Sequence, residues 1–388
     1  MFLQALRRRM IYINDKRVIL LLLSSSFWII FWQMSFADTN DLGAGGRNAS
    51  APSLGLGLGP RGNGSSPLMP RAVGGACTPR HRVFFLKTHK CGSSTLQHLF
   101  LRYGKKHNLT FALPGSSNYL GSPQPFSPGM IPPSLRTRDG RFDMFLVHTR
   151  FHQRNAEKVM RERTAWVTML REPASHFQSL WNFYGLRKHL KMNLSELVEL
   201  PYAKANAKRR LNKFGLNMQM FDLGFDPTQV PSEDDLRAEF DKLNRRFDLV
   251  MILERFHESL VLLKHLLCWT TSDVAYLKIN ALGSRAKYNF TAEDKARVRA
   301  LSTLDVALYD YFSKRFDDKV RHFGKTKMQW ELEQLQKAND FLQRKCFGIT
   351  ELKDEKVLSL CKDLRAREKA FLNNMRRRQL RKIQKGLM

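Results

Sequence analysis

Cysteine and acidic side chains are scarce in this sequence, and each scarcity excludes a class of protein. Only five cysteines occur among 388 residues and no two form a CxxC pair, so a cysteine-based zinc site is not expected. Asp and Glu total 35 against 65 Lys and Arg, and the formal charge of +30 predicts polyanionic partners: nucleic acid, anionic membrane, or phosphorylated and sulfated molecules. Apolar residues are not scarce. At 43% hydrophobic content the chain can bury one large domain or two ordinary ones.

An apolar stretch without a formal charge, residues 18–36, follows a basic N-terminus. As a helix it would span about 28 Å, close to the hydrocarbon thickness of a bilayer. Basic residues precede the stretch and Asp38 is the first charge after it, so the positive-inside rule predicts a cytosolic tail (1–17), a transmembrane signal anchor (18–36) and a luminal remainder. A cleaved signal peptide is the alternative, which the length of the stretch disfavours. A luminal body excludes nucleic acid as a partner.

The luminal part divides into a stem and a domain. Residues 37–76 are rich in Gly, Ser, Pro and Asn and predict a flexible stem ahead of a domain at 77–388. Five glycosylation sequons lie beyond the apolar stretch, in agreement with a luminal body: Asn48, Asn63, Asn108, Asn193 and Asn289. Four cysteines can form two disulfides in an oxidising lumen, with all three pairings open: Cys77, Cys268, Cys346 and Cys361.

Short apolar runs alternate with helical patterns from Val83 onwards. Buried strands are predicted at VFFL (83–86), FDMFLVH (142–148), AWVTML (165–170) and FDLVMIL (247–253). All but the second lead quickly into helical spacing, which predicts an α/β fold with a central parallel sheet flanked by helices. Residues 115–141 and 201–246 predict long loops, and the chain after Thr291 predicts a mostly helical C-terminal part.

The stretch FFLKTHKCGSSTLQHLF (84–100) predicts a strand, a phosphate-binding loop and a helix. A loop rich in Gly and hydroxyls that opens into a helix directs backbone N–H groups and the positive end of the helix dipole at one point. The predicted anion ligands are Lys87, Thr88, Lys90, Gly92, Ser93, Ser94 and Thr95. The nucleotide-hydrolase pattern GxxxxGK[ST] is absent, because the Lys precedes the Gly.

The order T-x-K-x-G-[ST]-[ST] instead resembles the loop with which sulfotransferases bind the 5′-phosphosulfate of 3′-phosphoadenylyl sulfate (PAPS), the activated sulfate donor. The 3′-phosphate of that donor requires a second anion site, which in sulfotransferases is an Arg at a strand end with a Ser eight positions later. LREPASHFQS supplies Arg171 and Ser179 with this spacing. Longer segments are similar to the galactose 3-O-sulfotransferase family: FLKTHK, RYGKKHNLTFALP, HTRF, LREP, FDLGFD and FDLVMILERFHESLVLLKHLLCW. The resemblance runs from about Cys77 into the C-terminal helices and is weakest in 115–141 and 185–213.

The resemblance implies a P-loop-like sulfotransferase fold and a Golgi membrane enzyme that transfers sulfate from PAPS to the 3-hydroxyl of galactose on a glycolipid or glycoprotein. It implies His89 as the general base, with Lys90 stabilising the leaving bridging oxygen and Lys87 balancing charge on the phosphate. His148 matches a second family histidine that orients galactose or shares proton transfer, and Arg150 is a weaker candidate of the same kind. No required metal is expected, because His148 and His152 lack a third ligand nearby.

One loop position departs from the family pattern, since Cys91 stands where many members have Thr or Ser. A thiol is a poor phosphate donor, so we expect this contact to be lost or supplied by backbone, and the thiol to be open to oxidation or alkylation beside the leaving phosphate. At the far end of the chain, the basic cluster of Arg376, Arg377, Arg378, Arg381 and Lys382 is interpreted as a solvated helix face.

Three other functions stay open at this point. The first is a sulfotransferase for another sugar hydroxyl, on a glycosaminoglycan or an N-acetylhexosamine. The second is a nucleoside or sugar kinase, which would share a phosphate loop but need magnesium ligands. The third is a non-catalytic luminal glycan-binding protein that kept the loop. The sequence does not choose between glycolipid, N-glycan and mucin-type acceptors, and it leaves a homodimer open.

Overall fold

A parallel sheet carries the predicted phosphate loop at the end of its central strand. The structure, a computed structural model, describes residues 77–207, 214–229, 231–277, 288–348 and 354–387. Within these residues the sheet has the order β2-β3-β1-β4-β5, and every neighbouring pair is parallel. The strands are β1 (Val83–Leu86), β2 (Phe111–Ala112), β3 (Met144–Phe145), β4 (Ala165–Leu170) and β5 (Leu249–Ile252).

Helices flank this sheet and form nearly all of the described C-terminal part. The first ten are α1 (Ser93–Lys106), α2 (Gln153–Val159), α3 (Pro173–Tyr184), α4 (Leu186–Leu190), α5 (Leu194–Val198), α6 (Tyr202–Ala207), α7 (Met218–Asp222), α8 (Glu233–Arg246), α9 (Phe256–Leu267) and α10 (Thr271–Val274). The C-terminal helices are α11 (Ala292–Leu301), α12 (Thr303–Phe323), α13 (Lys325–Phe347), α14 (Glu355–Arg365) and α15 (Glu368–Gln384). Short 3₁₀ turns cover Pro128–Met130, Pro133–Leu135 and Leu253–Arg255.

Continuous apolar runs form the strands because the sheet is covered on both faces. Every residue of β1 and β4 is buried, and β1 pairs with both β3 and β4. Parallel strands buried on both sides need such runs rather than alternating patterns. The predicted α/β fold with a central parallel sheet and a helical C-terminal part is therefore confirmed. The carboxyl ends of β1 and β4 lie side by side, which brings the phosphate loop next to Arg171.

Two segments differ from the sequence-based prediction. The run 142–148 contributes only two residues to the sheet, because its last residue, His148, pairs instead with Tyr119 of the preceding loop. The segment 201–246, predicted to include long loops, also contains the helices α6, α7 and α8. Helix α8 buries Leu236, Phe240 and Leu243, an i, i+4, i+7 spacing that defines one helix face.

The cysteines form two disulfides, Cys77–Cys268 and Cys346–Cys361. The expectation of a reactive thiol at Cys91 is wrong. Its side chain is fully buried in the core, and its Sγ donates to His89 O (3.3 Å) and to Gln219 Oε1 (3.5 Å). Burial raises the pKa of this thiol, so the thiolate that would react with an oxidant or an alkylating agent is not formed.

The last helix, α15, returns to the edge of the sheet. Gln379 is buried, and its side-chain amide pairs with the backbone of β2 in the way a neighbouring strand would. Its Oε1 accepts from Phe111 N (2.9 Å), and its Nε2 donates to Phe111 O (2.8 Å). Arg376 is 5% exposed and donates to Pro114 O (2.7 Å). The interpretation of the basic cluster as a solvated face is therefore wrong for Arg376, which closes the edge of β2 together with Gln379.

The predicted tail, signal anchor and stem (1–76) lie outside the described residues. Within the described residues no helix has the length and apolarity to cross a bilayer. Asn108, Asn193 and Asn289 are exposed, and the sequons at Asn48 and Asn63 also lie outside the described residues.

Candidate active site

The loop between β1 and α1 turns at two residues with positive φ. Lys90 has φ 55° and Gly92 has φ 68°. The positive φ at position 92 favours glycine, and a Cβ there would also lie 2.6 Å from Leu253 Cδ1 and displace that side chain. Helix α1 begins directly afterwards at Ser93, and the N–H groups of its first turn point towards the loop. The loop thus has the anion-binding geometry of a helix N-terminus.

The predicted loop hydroxyls divide into internal and accessible ones. Thr88 Oγ1 donates to Met169 O (2.6 Å) and Ser93 Oγ donates to Thr88 O (2.7 Å), and both residues are buried. Ser94 is exposed and Thr95 is half-buried, both in the first turn of α1. Thr88 and Ser93 therefore hold the loop in shape, whereas Ser94 and Thr95 lie on its accessible side.

His89 is held by a carboxylate that the sequence analysis did not identify. Its Nδ1 lies 2.8 Å from Asp222 Oδ1, and its backbone N–H donates to Asp222 Oδ2 (2.7 Å); both side chains are buried. A carboxylate only accepts, so the proton of the neutral ring is on Nδ1 and the lone pair is on Nε2. Nε2 lies 3.3 Å from the hydroxyl of Tyr119. His89 is thus oriented with the lone pair of Nε2 towards the Tyr119 hydroxyl.

His148 stacks on His89, with the ring centroids 4.2 Å apart, but its nitrogens have other partners. Nδ1 donates to Lys87 O (2.7 Å), and Nε2 lies 3.2 Å from Lys87 Nζ, from which it accepts. Burial and the neighbouring Lys87 and His89 keep the pKa of His148 well below its ordinary value. His148 is therefore a neutral ring that supports His89, and in this arrangement neither of its nitrogens is free to take a proton.

Lys87 lies beneath the loop rather than on its surface. Its side chain is 2% exposed, and Nζ lies 3.2 Å from His148 Nε2, 3.4 Å from Ser94 Oγ and 3.4 Å from Glu368 Oε2. Burial lowers the pKa of Lys87, an effect that the charge and hydrogen bond of Glu368 oppose. Glu368 is the first residue of α15, so the C-terminal helix places a carboxylate against the phosphate loop.

Lys90 and Arg171 are the cations on the accessible side. Lys90 Nζ lies 3.5 Å above the ring of Phe183, and burial together with Arg171 and Lys87 lowers its pKa to about 8. Arg171 directly follows β4, and its Nη1 donates to Lys90 O (3.1 Å). Ser179 lies half-buried in α3, so a strand-end Arg precedes a helix that carries the Ser, as the spacing predicted.

Helix α7 lies in a segment that was predicted to include long loops. It holds the backbone at both predicted anion sites, the loop after β1 and the strand end at Arg171. The side-chain amide of Gln219 forms two hydrogen bonds with the backbone of Arg171: Oε1 accepts from Arg171 N (2.8 Å) and Nε2 donates to Arg171 O (2.9 Å). Asp222, which binds His89, is the last residue of the same helix. The N-terminus of α7 is held in turn by buried Asp305, which accepts from Met220 N (2.9 Å). The FDLGFD segment, noted only for its resemblance, was the available signal for Asp222.

Arg150 supports the turn that follows the C-terminus of α7. Its Nη2 donates to Gly224 O (3.1 Å) and Phe225 O (3.0 Å), and its guanidinium lies 4.7 Å from the ring centroid of Phe221. Gly224 has φ 104°, and a Cβ there would lie 2.6 Å from Phe151 O. The turn that ends α7 thus depends on Arg150 and Gly224, and Arg150 is placed to position Asp222 through this turn.

Together these residues fit a donor with two phosphate groups. Lys90 and the α1 N-terminus stand at the end of β1, Arg171 stands at the end of the adjacent β4, and a His–Asp pair lies within the loop. Neighbouring strand ends are about 5 Å apart, a distance that one nucleotide can bridge. Within the described residues no cluster of three metal-ligating side chains occurs. The fold and the arrangement of these residues are those of a protein that can bind a phosphorylated ligand.

Comparison with known proteins identifies the family. The galactose-3-O-sulfotransferase family model matches residues 1–367. Galactosylceramide sulfotransferase from Bos taurus is 34% identical over 288 residues, covering 72% of this chain and 67% of the relative. Galactose-3-O-sulfotransferase 3 from Bos taurus is 34% identical over 301 residues, covering 75% and 68%. Galactose-3-O-sulfotransferase 2 from Sus scrofa is 34% identical over 291 residues, covering 72% of each chain.

The chain belongs to the galactose-3-O-sulfotransferase family. The alignments span about two thirds of the length of the curated relatives. The predicted family and the predicted enzyme class, a sulfotransferase, are confirmed.

Proposed function

We propose that this chain transfers a sulfuryl group from PAPS to the 3-hydroxyl of a galactose residue on a glycolipid or glycoprotein glycan. The observation that carries the proposal is the buried His89–Asp222 pair within a loop that also presents Lys90, one strand away from Arg171. The names of the relatives support galactose as the sulfated sugar.

Each residue of the site has a role that follows from its contacts. When bound, the donor supplies a sulfuryl group attached to a phosphate through a bridging oxygen. His89 Nε2 accepts the proton of the acceptor hydroxyl, and Asp222 stabilises the imidazolium that results. Lys90 provides positive charge for the oxygen that becomes negative. Arg171 and Ser179 hold the 3′-phosphate end, and Arg171 keeps the loop in place through Lys90 O.

Tyr119 covers the reactive nitrogen of His89. Its hydroxyl lies 3.3 Å from Nε2, and its ring stacks on both His89 and His148. His89 is only 1% exposed. The acceptor hydroxyl therefore takes the position of the Tyr119 hydroxyl, and movement of Tyr119 accompanies acceptor binding.

The proposed location is the Golgi membrane, with a single-pass type II topology and a luminal catalytic domain. The apolar stretch 18–36 behind a basic N-terminus supports this, as do the three exposed sequons and the two disulfides, which an oxidising compartment permits.

The test is an acceptor screen with the purified full-length protein and ³⁵S-labelled PAPS. Terminal β-galactosides should become labelled on the 3-hydroxyl, whereas N-acetylhexosamine and glycosaminoglycan acceptors should not. Labelling of another sugar hydroxyl would identify the alternative sulfotransferase. Donor binding without transfer to any acceptor would favour a glycan-binding protein, and labelling from ATP would favour a kinase.

A further inference from the structure

The carboxylate of Glu368 occupies the accessible side of the phosphate loop. Ser94 Oγ donates to Glu368 Oε2 (2.5 Å), Lys87 Nζ lies 3.4 Å from the same oxygen, and Asn118 Nδ2 donates to Oε1. Ser94 is one of the groups that the accessible side of the loop offers to a donor phosphate, and the Lys87 ammonium lies beneath it, 3.4 Å from its Oγ. A phosphate oxygen bound to Ser94 and the carboxylate would be two anions at one position, which like-charge repulsion disfavours.

The carboxylate has a physical reason to be there in the free enzyme. Lys87 is buried, and a buried ammonium without an opposite charge is costly. Burial alone would raise the pKa of Glu368, but Lys87 and the hydrogen bonds from Ser94 and Asn118 bring it below its ordinary value, so the group is ionised at neutral pH. Glu368 therefore neutralises Lys87 in the free enzyme, a role that a bound phosphate would take over.

The position of Glu368 allows its carboxylate to move away from Ser94 and Lys87 while α15 remains packed in place. It is the first residue of α15, and its side chain is 30% exposed, so rotation can carry the carboxylate into solvent. The body of α15 is held further along by buried residues, including Phe371, Leu372 and Gln379. Displacement thus needs a rotamer change rather than undocking of the helix.

We propose that Glu368 is an internal competitor for the 5′-phosphate group of the donor. Its carboxylate holds Ser94 and Lys87 in the free enzyme and swings out when the donor binds, so the C-terminal helix sets donor affinity. The inference rests on the proposed function, because the competing ligand is a nucleotide with phosphates at both the 3′ and the 5′ position.

The experiment measures the binding of two nucleotides to the full-length protein by titration calorimetry. Adenosine 3′,5′-bisphosphate carries the competing group, and adenosine 3′-phosphate lacks it. Glu368→Gln removes the charge but keeps the shape, and it should tighten binding of the bisphosphate roughly tenfold while leaving the 3′-phosphate nucleotide unchanged. Glu355→Gln is the matched control, because Glu355 is likewise the first residue of a helix and is exposed; it should change neither affinity.

Each outcome decides one question. Failure of the unmodified protein to bind adenosine 3′,5′-bisphosphate would contradict the proposed function, whatever Glu368 does. If the unmodified protein binds and Glu368→Gln binds equally or more weakly, Glu368 is not a competitor. An equal gain for both nucleotides would place the effect away from the 5′-phosphate and would also overturn the inference. Glu368→Ala, with its folding checked by circular dichroism, should repeat the result of the Gln variant.

Discussion

The phosphate loop between β1 and α1 and the helices α7 and α15 build one site, but they do so over different ranges of sequence. The loop places its base, its cations and its helix N-terminus within a few consecutive residues. Helix α7 contributes Asp222 from 133 residues beyond His89, and α15 contributes Glu368 from 281 residues beyond Lys87. In the proposed reaction the loop therefore supplies the reacting groups, whereas the two remote helices set their orientation and charge.

The largest expected effect tests the loop itself. His89→Ala should lower turnover by about 10²- to 10⁴-fold, because the general base is lost. Affinity for adenosine 3′,5′-bisphosphate should change little, since the phosphates are held by Lys90, Arg171 and the α1 N-terminus. Single-turnover sulfation and calorimetry measure the two quantities. An equal loss of donor binding would remove His89 from the role of base.

The next effect tests whether α7 acts on the chemistry through the loop. Asp222→Asn should lower turnover roughly 100-fold, because an amide can stabilise the wrong tautomer of His89 and cannot stabilise the imidazolium. The pH–rate profile should shift as well, which a purely structural defect would not cause. Asp226→Asn is the control, since Asp226 is an exposed carboxylate of the same FDLGFD segment. Similar losses in both variants would count against an orienting role.

A third prediction separates donor binding from chemistry. Arg171→Ala should weaken binding of adenosine 3′,5′-bisphosphate by about 10- to 100-fold, because one charge-assisted hydrogen bond is lost. Arg187→Ala, at an exposed position of α4, should leave the affinity unchanged. Unaltered calorimetric affinity in the Arg171 variant would place the 3′-phosphate elsewhere.

The fourth prediction tests the docking of α15. Gln379→Ala should cost about 1–3 kcal/mol of unfolding free energy, because the backbone N–H and C=O of Phe111 lose their partner. Thermal unfolding should show a lower Tm, while Gln384→Ala, at an exposed position of the same helix, should not. A normal Tm in the Gln379 variant would show that α15 does not stabilise the edge of β2.

The smallest expected effect is a pH dependence of donor binding. The pKa of Lys90 is lowered to about 8 in the free protein, so its ammonium is charged below that pH and loses its charge above it. Affinity for adenosine 3′,5′-bisphosphate should therefore fall severalfold as pH rises from 7 to 9.5. Lys90→Arg should flatten the decline, because arginine stays charged. A decline of equal size in this variant would assign the titration to another group.

Prediction succeeded where a pattern is local. The apolar run AWVTML appears as β4 with the same bounds, and VFFL appears as β1, because continuous burial dictates both composition and length. It failed for Cys91 and Arg376, whose exposure depends on elements far away in the chain. Cys91 is covered from α7 through Gln219, and Arg376 reaches the loop that follows β2. Neither neighbour can be found from spacing alone.

The sequence by itself determined that a Lys-before-Gly loop follows one buried strand and that an Arg ends another. These features follow from short-range steric rules: glycine for a positive φ, hydroxyls at a helix start, and apolar runs for a two-sided sheet. Only the tertiary structure decided that Asp222 orients His89, that burial and Lys87 keep His148 neutral, and that Glu368 lies against the loop. Those pairings join residues from 61 to 281 positions apart, and only the packing of helices against the sheet brings them into contact.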